Sequence, residues 1–96
     1  MKVRFTRPAQ RDIQRIYSYI SRESPQAASR VVMRLTELAN ALADHPQTGR
    51  ATDEANTRVV VVPNLRYFIF YRVAGDEIQI MHIRHMSRSR PRGWGR

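Results

Sequence analysis

An apolar stripe with helical spacing occupies residues 28–42 and limits what this chain can fold into. Its apolar side chains recur every three or four positions: Ala28, Val31, Val32, Leu35, Leu38, Ala39 and Leu42. This spacing predicts an amphipathic helix whose apolar face must be covered by another element. Ser24 and Pro25 are typical of an N-cap and a first helical position. Pro46 cannot continue the helix, so we expect it to end near His45.

A shorter helical pattern comes before this stripe. Ile13, Ile16, Tyr17 and Ile20 are spaced as one face of a helix, and mostly polar residues occupy the other side. The break between the two patterns is short, which predicts a helical hairpin. The residues expected in the core from both helices are Ile13, Ile16, Tyr17, Val31, Leu35, Leu38 and Leu42.

The remaining apolar segments have the alternation or composition of strands. "KVRFT" precedes the helices, and "RVVVV", "RYFIFYRV" and "IQIMHIRH" follow them, separated by turns at "PNL" and "AGDE". "HPQTGRATDEANT" has the composition of a loop. The order β-α-α-β-β-β predicts an α+β fold in which the helical hairpin packs on a small antiparallel sheet. We expect the first strand in the same sheet, at a position that periodicity leaves open.

The charge of the chain indicates an acidic partner. Its formal net charge is +9, and all but one of its 17 basic residues are arginine. Arginine suits phosphate and carboxylate groups, so a nucleic acid or an acidic protein is expected, although a GC-rich genome would also favour arginine. The absence of cysteine excludes disulfides and thiol catalysis. With no apolar run of membrane length and no signal-like start, we expect a cytoplasmic protein with no membrane contact.

Known catalytic motifs are missing from the sequence. It contains no HExxH, P-loop or GxGxxG pattern. His82 and His85 are three residues apart on a predicted strand, so they should point to opposite faces and not share a metal ion. We therefore expect neither a metal nor a cofactor.

The predicted sheet carries cations and aromatic rings on its strands. Arg66, Phe68, Phe70 and Arg72 should share one face of their strand, and His82 and Arg84 should share a face of the last strand. Such a surface is suited to binding phosphate and stacking bases. It is also suited to cutting RNA, with histidine as acid or base. A charged face in contact with solvent explains the same residues.

Five segments in order resemble one family. They are "FTRPAQRDIQRIYSYI", "SPQAASRVVMRL", "LADHPQTGR", "LRYFIFYRV" and "IQIMHIRHMSR". Over about residues 5–88 the chain resembles the RelE/ParE superfamily of small bacterial toxins, and within it the ParE branch.

The resemblance implies the toxin of a type II toxin–antitoxin system, neutralised by a ParD-like antitoxin. ParE-type toxins inhibit DNA gyrase, whereas RelE-type toxins cut mRNA at the ribosome. RelE-like members often use lysines in the middle of the chain, and this chain has none there. Other relatives use a glutamate, an arginine and a terminal histidine followed by a tyrosine. Here Met86 follows His85, and the candidate glutamate, Glu54, lies in a predicted loop. A gyrase inhibitor that acts by binding is therefore expected, and a ribosome-dependent mRNA interferase is the alternative.

The candidate functional residues are mostly cations near the sheet. Those expected to contact the target, or nucleic acid directly, are Arg58, Arg66, Tyr71, Arg84, His85, Arg88 and Trp94. If the chain is a nuclease, the catalytic set would be His85, Arg58, Arg66 and Arg84. We expect one toxin domain at 1–88 and a basic tail at 89–96 that is either a flexible handle for a partner or a disordered extension.

Overall fold

The computed structural model describes residues 1–87, which form two helices and five strands. The elements are β1 (Lys2–Phe5), α1 (Arg7–Ser21), α2 (Pro25–Ala41), β2 (Arg50–Ala51), β3 (Thr57–Val62), β4 (Tyr67–Ala74) and β5 (Glu77–His85). The strands form one sheet in the order β1-β5-β4-β3-β2. The predicted α+β fold, with a helical hairpin on a small sheet, is confirmed.

The sheet is mixed, because β1 pairs with β5 in parallel while the other neighbours are antiparallel. The antiparallel sheet expected from the sequence is therefore corrected to a mixed one. The chain between β1 and β5 contains both helices and three strands, a connection long enough to bring β5 beside β1 in the parallel sense. The predicted loop at 45–57 also contains the short strand β2, whose Arg50 and Ala51 pair with β3.

Both helices begin at hydroxyl caps followed by proline. The Ser24 side chain accepts a hydrogen bond from the Ala27 N–H at 3.1 Å, as the sequence predicted. The Thr6 side chain caps α1 in the same way. Helix α2 ends at Ala41, four residues before the expected end, and turns continue the chain to His45.

The core lies between the helices and one face of the sheet. Its fully buried members include Leu35, Tyr71, Ile78 and Ile80. Of the residues expected in the core, Ile16, Leu35 and Leu42 are buried, whereas Ile13, Val31 and Leu38 are half-buried and pack against them.

Tyr17 is 40% exposed, so its expected core position is wrong. The buried line of α1 runs through Ala9, Asp12 and Ile16, which is rotated from the face that apolarity alone indicates. Asp12, predicted on the polar side, is 8% exposed. Its carboxylate points inward because it accepts a hydrogen bond from the backbone N–H of Ile83 in β5.

Strand β5 is longer than the β1 strand beside it. The parallel pairing ends at Phe5 opposite Ile80, so the segment from Met81 to His85 extends past β1. The Thr6 hydroxyl donates to the Ile80 carbonyl at 2.7 Å where the chain leaves the sheet. A register irregularity opposite Phe70/Tyr71 begins this extension.

The two hairpin turns match their predicted places. Gly75 and Asp76 form the two-residue turn between β4 and β5, and Gly75 has φ 63°. Positive φ at the first turn position favours glycine. Arg66 has φ 59° and lies in the turn before β4 begins, not on the strand face predicted for it.

Candidate functional site

A groove of about 810 Å³ lies between α1 and the extended half of β5. We call it the α1–β5 groove. Helix α1 contributes Arg11, Asp12, Gln14, Arg15, Ile16, Ser18, Tyr19 and Arg22, and the sheet side contributes Tyr67, Ile83, Arg84, His85 and Ser87. The groove exists because β5 extends past β1, so that a helix and not a strand flanks it there.

Three arginines form a row along the groove wall of α1. Arg11, Arg15 and Arg22 are separated by four and seven residues, so they fall within about 40° of one another around the helix. At about 1.5 Å per residue the row is about 16 Å long. All three are exposed. The groove therefore presents a line of fixed positive charge.

Asp12 joins this helix to the strand. Its Oδ2 accepts the backbone N–H of Ile83 at 3.0 Å. The carboxylate thus accepts a backbone hydrogen bond that a carbonyl of β1 would accept if β1 were longer. An ionised acceptor makes this bond stronger than a neutral one.

His82 lies between the Asp12 carboxylate and the Arg84 guanidinium. Its Nδ1 is 3.4 Å from Asp12 Oδ2 and 3.3 Å from Arg84 Nη2. A protonated Nδ1 donates to Asp12, whereas an unprotonated Nδ1 accepts from Arg84, so only one of the two contacts is a hydrogen bond at a time. Arg84 and His82 do share one face of the strand, as predicted.

His85 lies at the sheet end of the groove. Its Nδ1 accepts the Ser87 N–H at 3.2 Å and lies 2.8 Å from the Ser87 hydroxyl. Its ring meets Tyr67 edge to face, with the centroids 5.2 Å apart. Because Nδ1 accepts these bonds, the proton of the neutral ring resides on Nε2.

Two of the predicted site residues hold a loop in place. The Tyr71 hydroxyl accepts the Gly49 N–H at 2.8 Å and donates to the Pro46 carbonyl at 2.7 Å. Arg58 Nη1 donates to the Gly49 carbonyl at 2.7 Å. These bonds fix the segment between α2 and β2 against the sheet.

Tyr71 is 0% exposed, so in this structure it is not on a surface that a target can touch. Its assignment as a target contact is corrected to a structural role. The alternation of β4 sends it into the core, where its hydroxyl finds backbone partners. Burial raises the pKa of Tyr71 above its ordinary 10.0, although the Gly49 N–H and the Arg58 charge act the other way.

The structure separates Arg58 from the other predicted nuclease residues. Arg58 pairs with Tyr71 across the sheet, and His85 pairs with Tyr67. Four residues of β4 separate those positions, or about 13 Å along the strand. Glu54 lies in the turn before β3, at the Arg58 end.

The other predicted residues are near His85 or outside the described part. Arg84 lines the groove, and the carbonyl of Arg66 accepts the Met86 N–H at 2.8 Å, which places the exposed Arg66 at the His85 end of the sheet. Arg88, Trp94 and the predicted tail 89–96 lie outside the described residues.

Residues 1–87 show no metal cluster and no membrane-spanning helix. Nowhere in this range do three His, Asp or Glu side chains come close enough to hold a metal ion. Neither helix in the same range has the length and apolar run needed to cross a membrane.

The residues that sequence reasoning missed are those of α1. The recurrence of Arg11, Arg15 and Arg22 on one helical face was a usable signal, since it has the same period as the apolar stripe. This face lies beside β5 because β1 is shorter than β5. No local sequence pattern predicts that difference in length.

Three comparisons with known proteins agree. Residues 3–90 match the model of the ParE toxin of the type II toxin–antitoxin system parDE. A putative toxin, Y4kP, of Sinorhizobium fredii is 34% identical over 90 residues, covering 94% of this chain and 93% of that protein. Toxin RelE2 of Caulobacter vibrioides is 40% identical over 77 residues, covering 80% and 85%.

A solved structure has the same fold. A chain of the chromosomal ParDE toxin–antitoxin system from P. aeruginosa superposes with a TM-score of 0.79 at 27% identity. The match covers 88% of this chain and 95% of that one.

Proposed function

This chain belongs to the ParE toxin family of type II toxin–antitoxin systems, and on that premise we propose that it arrests growth by binding DNA gyrase. Binding energy, and not bond-making by this chain, would hold gyrase with its DNA cut. A ParD-like antitoxin would neutralise it by covering part of its cationic surface. This function requires no cofactor and no metal.

The separation of Arg58 from His85 carries this proposal. Arg58 is tied to the Gly49 carbonyl at one end of the sheet, and His85 lies at the other. A nuclease needs its general acid or base and its phosphate-binding cation around one scissile bond. The buried carboxylate that lines the groove, Asp12, already accepts the Ile83 N–H through Oδ2. These positions favour binding over cleavage.

The charge supports an acidic antitoxin. The formal net charge is +9, which would attract a partner with acidic residues. Salt screens this attraction and reduces its range. We expect antitoxin association to slow as salt is raised. An association rate that stays constant from low to high salt would remove the electrostatic part of this proposal.

Cleavage of mRNA at the ribosome is the second candidate. It is favoured by the likeness to a relative named RelE2. Arg66, Arg84 and His85 lie toward one end of the sheet and would then form the catalytic set without Arg58. His85 would act through Nε2, because Nδ1 is engaged by Ser87.

Induction of the toxin in a bacterial host separates the two candidates. Gyrase inhibition predicts double-strand breaks and induction of a DNA-damage reporter while the 5′ ends of cellular mRNAs remain intact. New mRNA ends within minutes, without a DNA-damage response, would reject the gyrase proposal. A His85→Ala variant is the informative companion, because mRNA cleavage would then depend on that ring.

A further inference from the structure

We propose that the α1–β5 groove binds a single-stranded polynucleotide, whose phosphates pair with the arginine row of α1 and one of whose bases stacks on Tyr19. Cleavage is not part of this proposal. It does not require gyrase to be the target, because the groove is a property of the isolated chain.

The arginines of the row have no acidic partner to neutralise them. Among residues 1–87, Arg11, Arg15 and Arg22 take part in no ion pair, and all are exposed. Arg84 adds a fourth guanidinium from the opposite wall. Guanidinium groups bind phosphate oxygens with two parallel hydrogen bonds, so a line of them suits a phosphodiester backbone.

Tyr19 supplies a stacking surface next to the row. Tyr19 is 63% exposed, and the Arg22 guanidinium carbon lies 6.0 Å from the centroid of its ring. Aromatic rings beside cations are the usual platform for single-stranded bases, because every base has a π face. A duplex keeps its bases stacked on each other and gains nothing from this ring.

A single-stranded polynucleotide fits the exposed lining of the groove. Its two aliphatic side chains are largely buried, Ile16 being 9% exposed and Ile83 3% exposed. The side chains that a ligand meets are therefore mainly cations and tyrosine rings, which bind phosphates and stack bases. An acidic protein that used the same cations is distinguished from a polynucleotide by the competition test below.

The test is fluorescence anisotropy on the purified full chain. The probe is a fluorescein-labelled 12-nucleotide oligothymidine, with oligouridine of equal length as a second probe. The test variant is Arg11→Gln/Arg15→Gln. The matched control is Arg30→Gln/Arg34→Gln, which removes the same charge at the same spacing from the exposed face of α2. Residues 88–96 are present in every variant, so their contribution cancels.

We expect the groove variant to lose about tenfold or more in affinity. Its salt dependence should also weaken, with the slope of log K against log salt smaller by about 1.4 for two lost phosphate contacts on a single strand. The control should change affinity by less than about twofold. Tyr19→Ala should weaken single-strand binding by about fivefold or more and leave duplex binding unchanged.

Tighter binding of oligothymidine would favour DNA as the source of the strand, and tighter binding of oligouridine would favour RNA. Equal losses in the groove and control variants would overturn the proposal, since they would mean attraction by net charge alone. It would also be overturned if polyglutamate displaced the probe from the groove better than unlabelled oligonucleotide does. Failure here leaves the gyrase proposal standing, because that proposal is measured on gyrase.

Discussion

The carboxylate of Asp12 accepts the backbone N–H of Ile83 at 3.0 Å, so helix α1 completes the hydrogen bonding of a strand that β1 is too short to reach. This bond links α1 to β5 beside the groove that the arginines line. It acts together with the packing of Ala9 and Ile16 in the core.

Replacing Asp12 should show this role. Asp12→Ala leaves the Ile83 N–H without its acceptor in a buried place, and we expect a loss of about 1–3 kcal/mol in the free energy of unfolding. Asp12→Asn keeps an acceptor oxygen and should lose less. Urea unfolding followed by circular dichroism measures both. An Asp12→Ala protein as stable as the original would mean that water or another group satisfies Ile83.

The Tyr71 hydroxyl should make stability depend on pH in alkaline solution. Burial holds its pKa above 10.0 in the folded chain, while the unfolded chain ionises near 10.0. Its contribution is therefore complete below pH 10 and is lost as pH rises through the folded pKa. The free energy of unfolding should fall as the pH rises above about 10, and Tyr71→Phe should reduce that fall.

The same variant tests the loop contacts at neutral pH. Tyr71→Phe removes the acceptor of the Gly49 N–H and the donor to the Pro46 carbonyl. We expect a loss of about 1–3 kcal/mol near pH 7, measured by urea unfolding. A steeper alkaline fall in Tyr71→Phe than in the original chain would contradict the assignment of the titration to this residue.

Gly49 should tolerate no side chain. A Cβ at this position would lie 2.7 Å from both Cε1 and the hydroxyl oxygen of Tyr71, so the ring or the loop must move. We expect Gly49→Ala to destabilise the chain by about 1–3 kcal/mol. Thermal unfolding is a sufficient measurement, and Gly75→Ala is a useful comparison because its strain comes from φ 63° and not from a close contact.

Arg58 and Arg66 should behave differently despite their equal charge. Arg58 is half-buried and bonds to the Gly49 carbonyl at 2.7 Å, so Arg58→Gln should cost about 1 kcal/mol of stability. Arg66 is exposed, and Arg66→Gln should leave stability within about 0.5 kcal/mol. Urea unfolding of the pair checks this. A fully stable Arg58→Gln chain that had lost toxicity would identify Arg58 as a target contact.

The element order was predictable because its signals are local. The stripe from Ala28 to Leu42, the cap at Ser24 and the turn at Gly75 each depend on a few neighbouring residues. The position of β1 was not predictable in this way. Its pairing with β5 joins Lys2 to Glu77 across the whole chain, and alternation carries no information about which strand is the neighbour.

The site was harder to predict than the fold for the same reason. Arg84 and His85 lie on a strand that the sequence predicts, so their places in the fold could be anticipated. The alternation that places Tyr71 on the face of Ile69 and Val73 indicated the core, whereas its hydroxyl suggested a surface contact. Asp12 looked like a surface acid from its polar neighbours. Its burial is explained by the N–H of Ile83, which lies beyond the end of β1 and donates to the Asp12 carboxylate.

The central claim is that this toxin acts on gyrase by binding, and one paired assay tests it most directly. Purified protein is incubated with gyrase, ATP and plasmid, and in parallel with a translating ribosome extract. The account predicts linear or unsupercoiled plasmid in the first reaction and intact mRNA in the second. Cut mRNA with normal supercoiling would contradict it and would make His85, with Arg66 and Arg84, the residues to study.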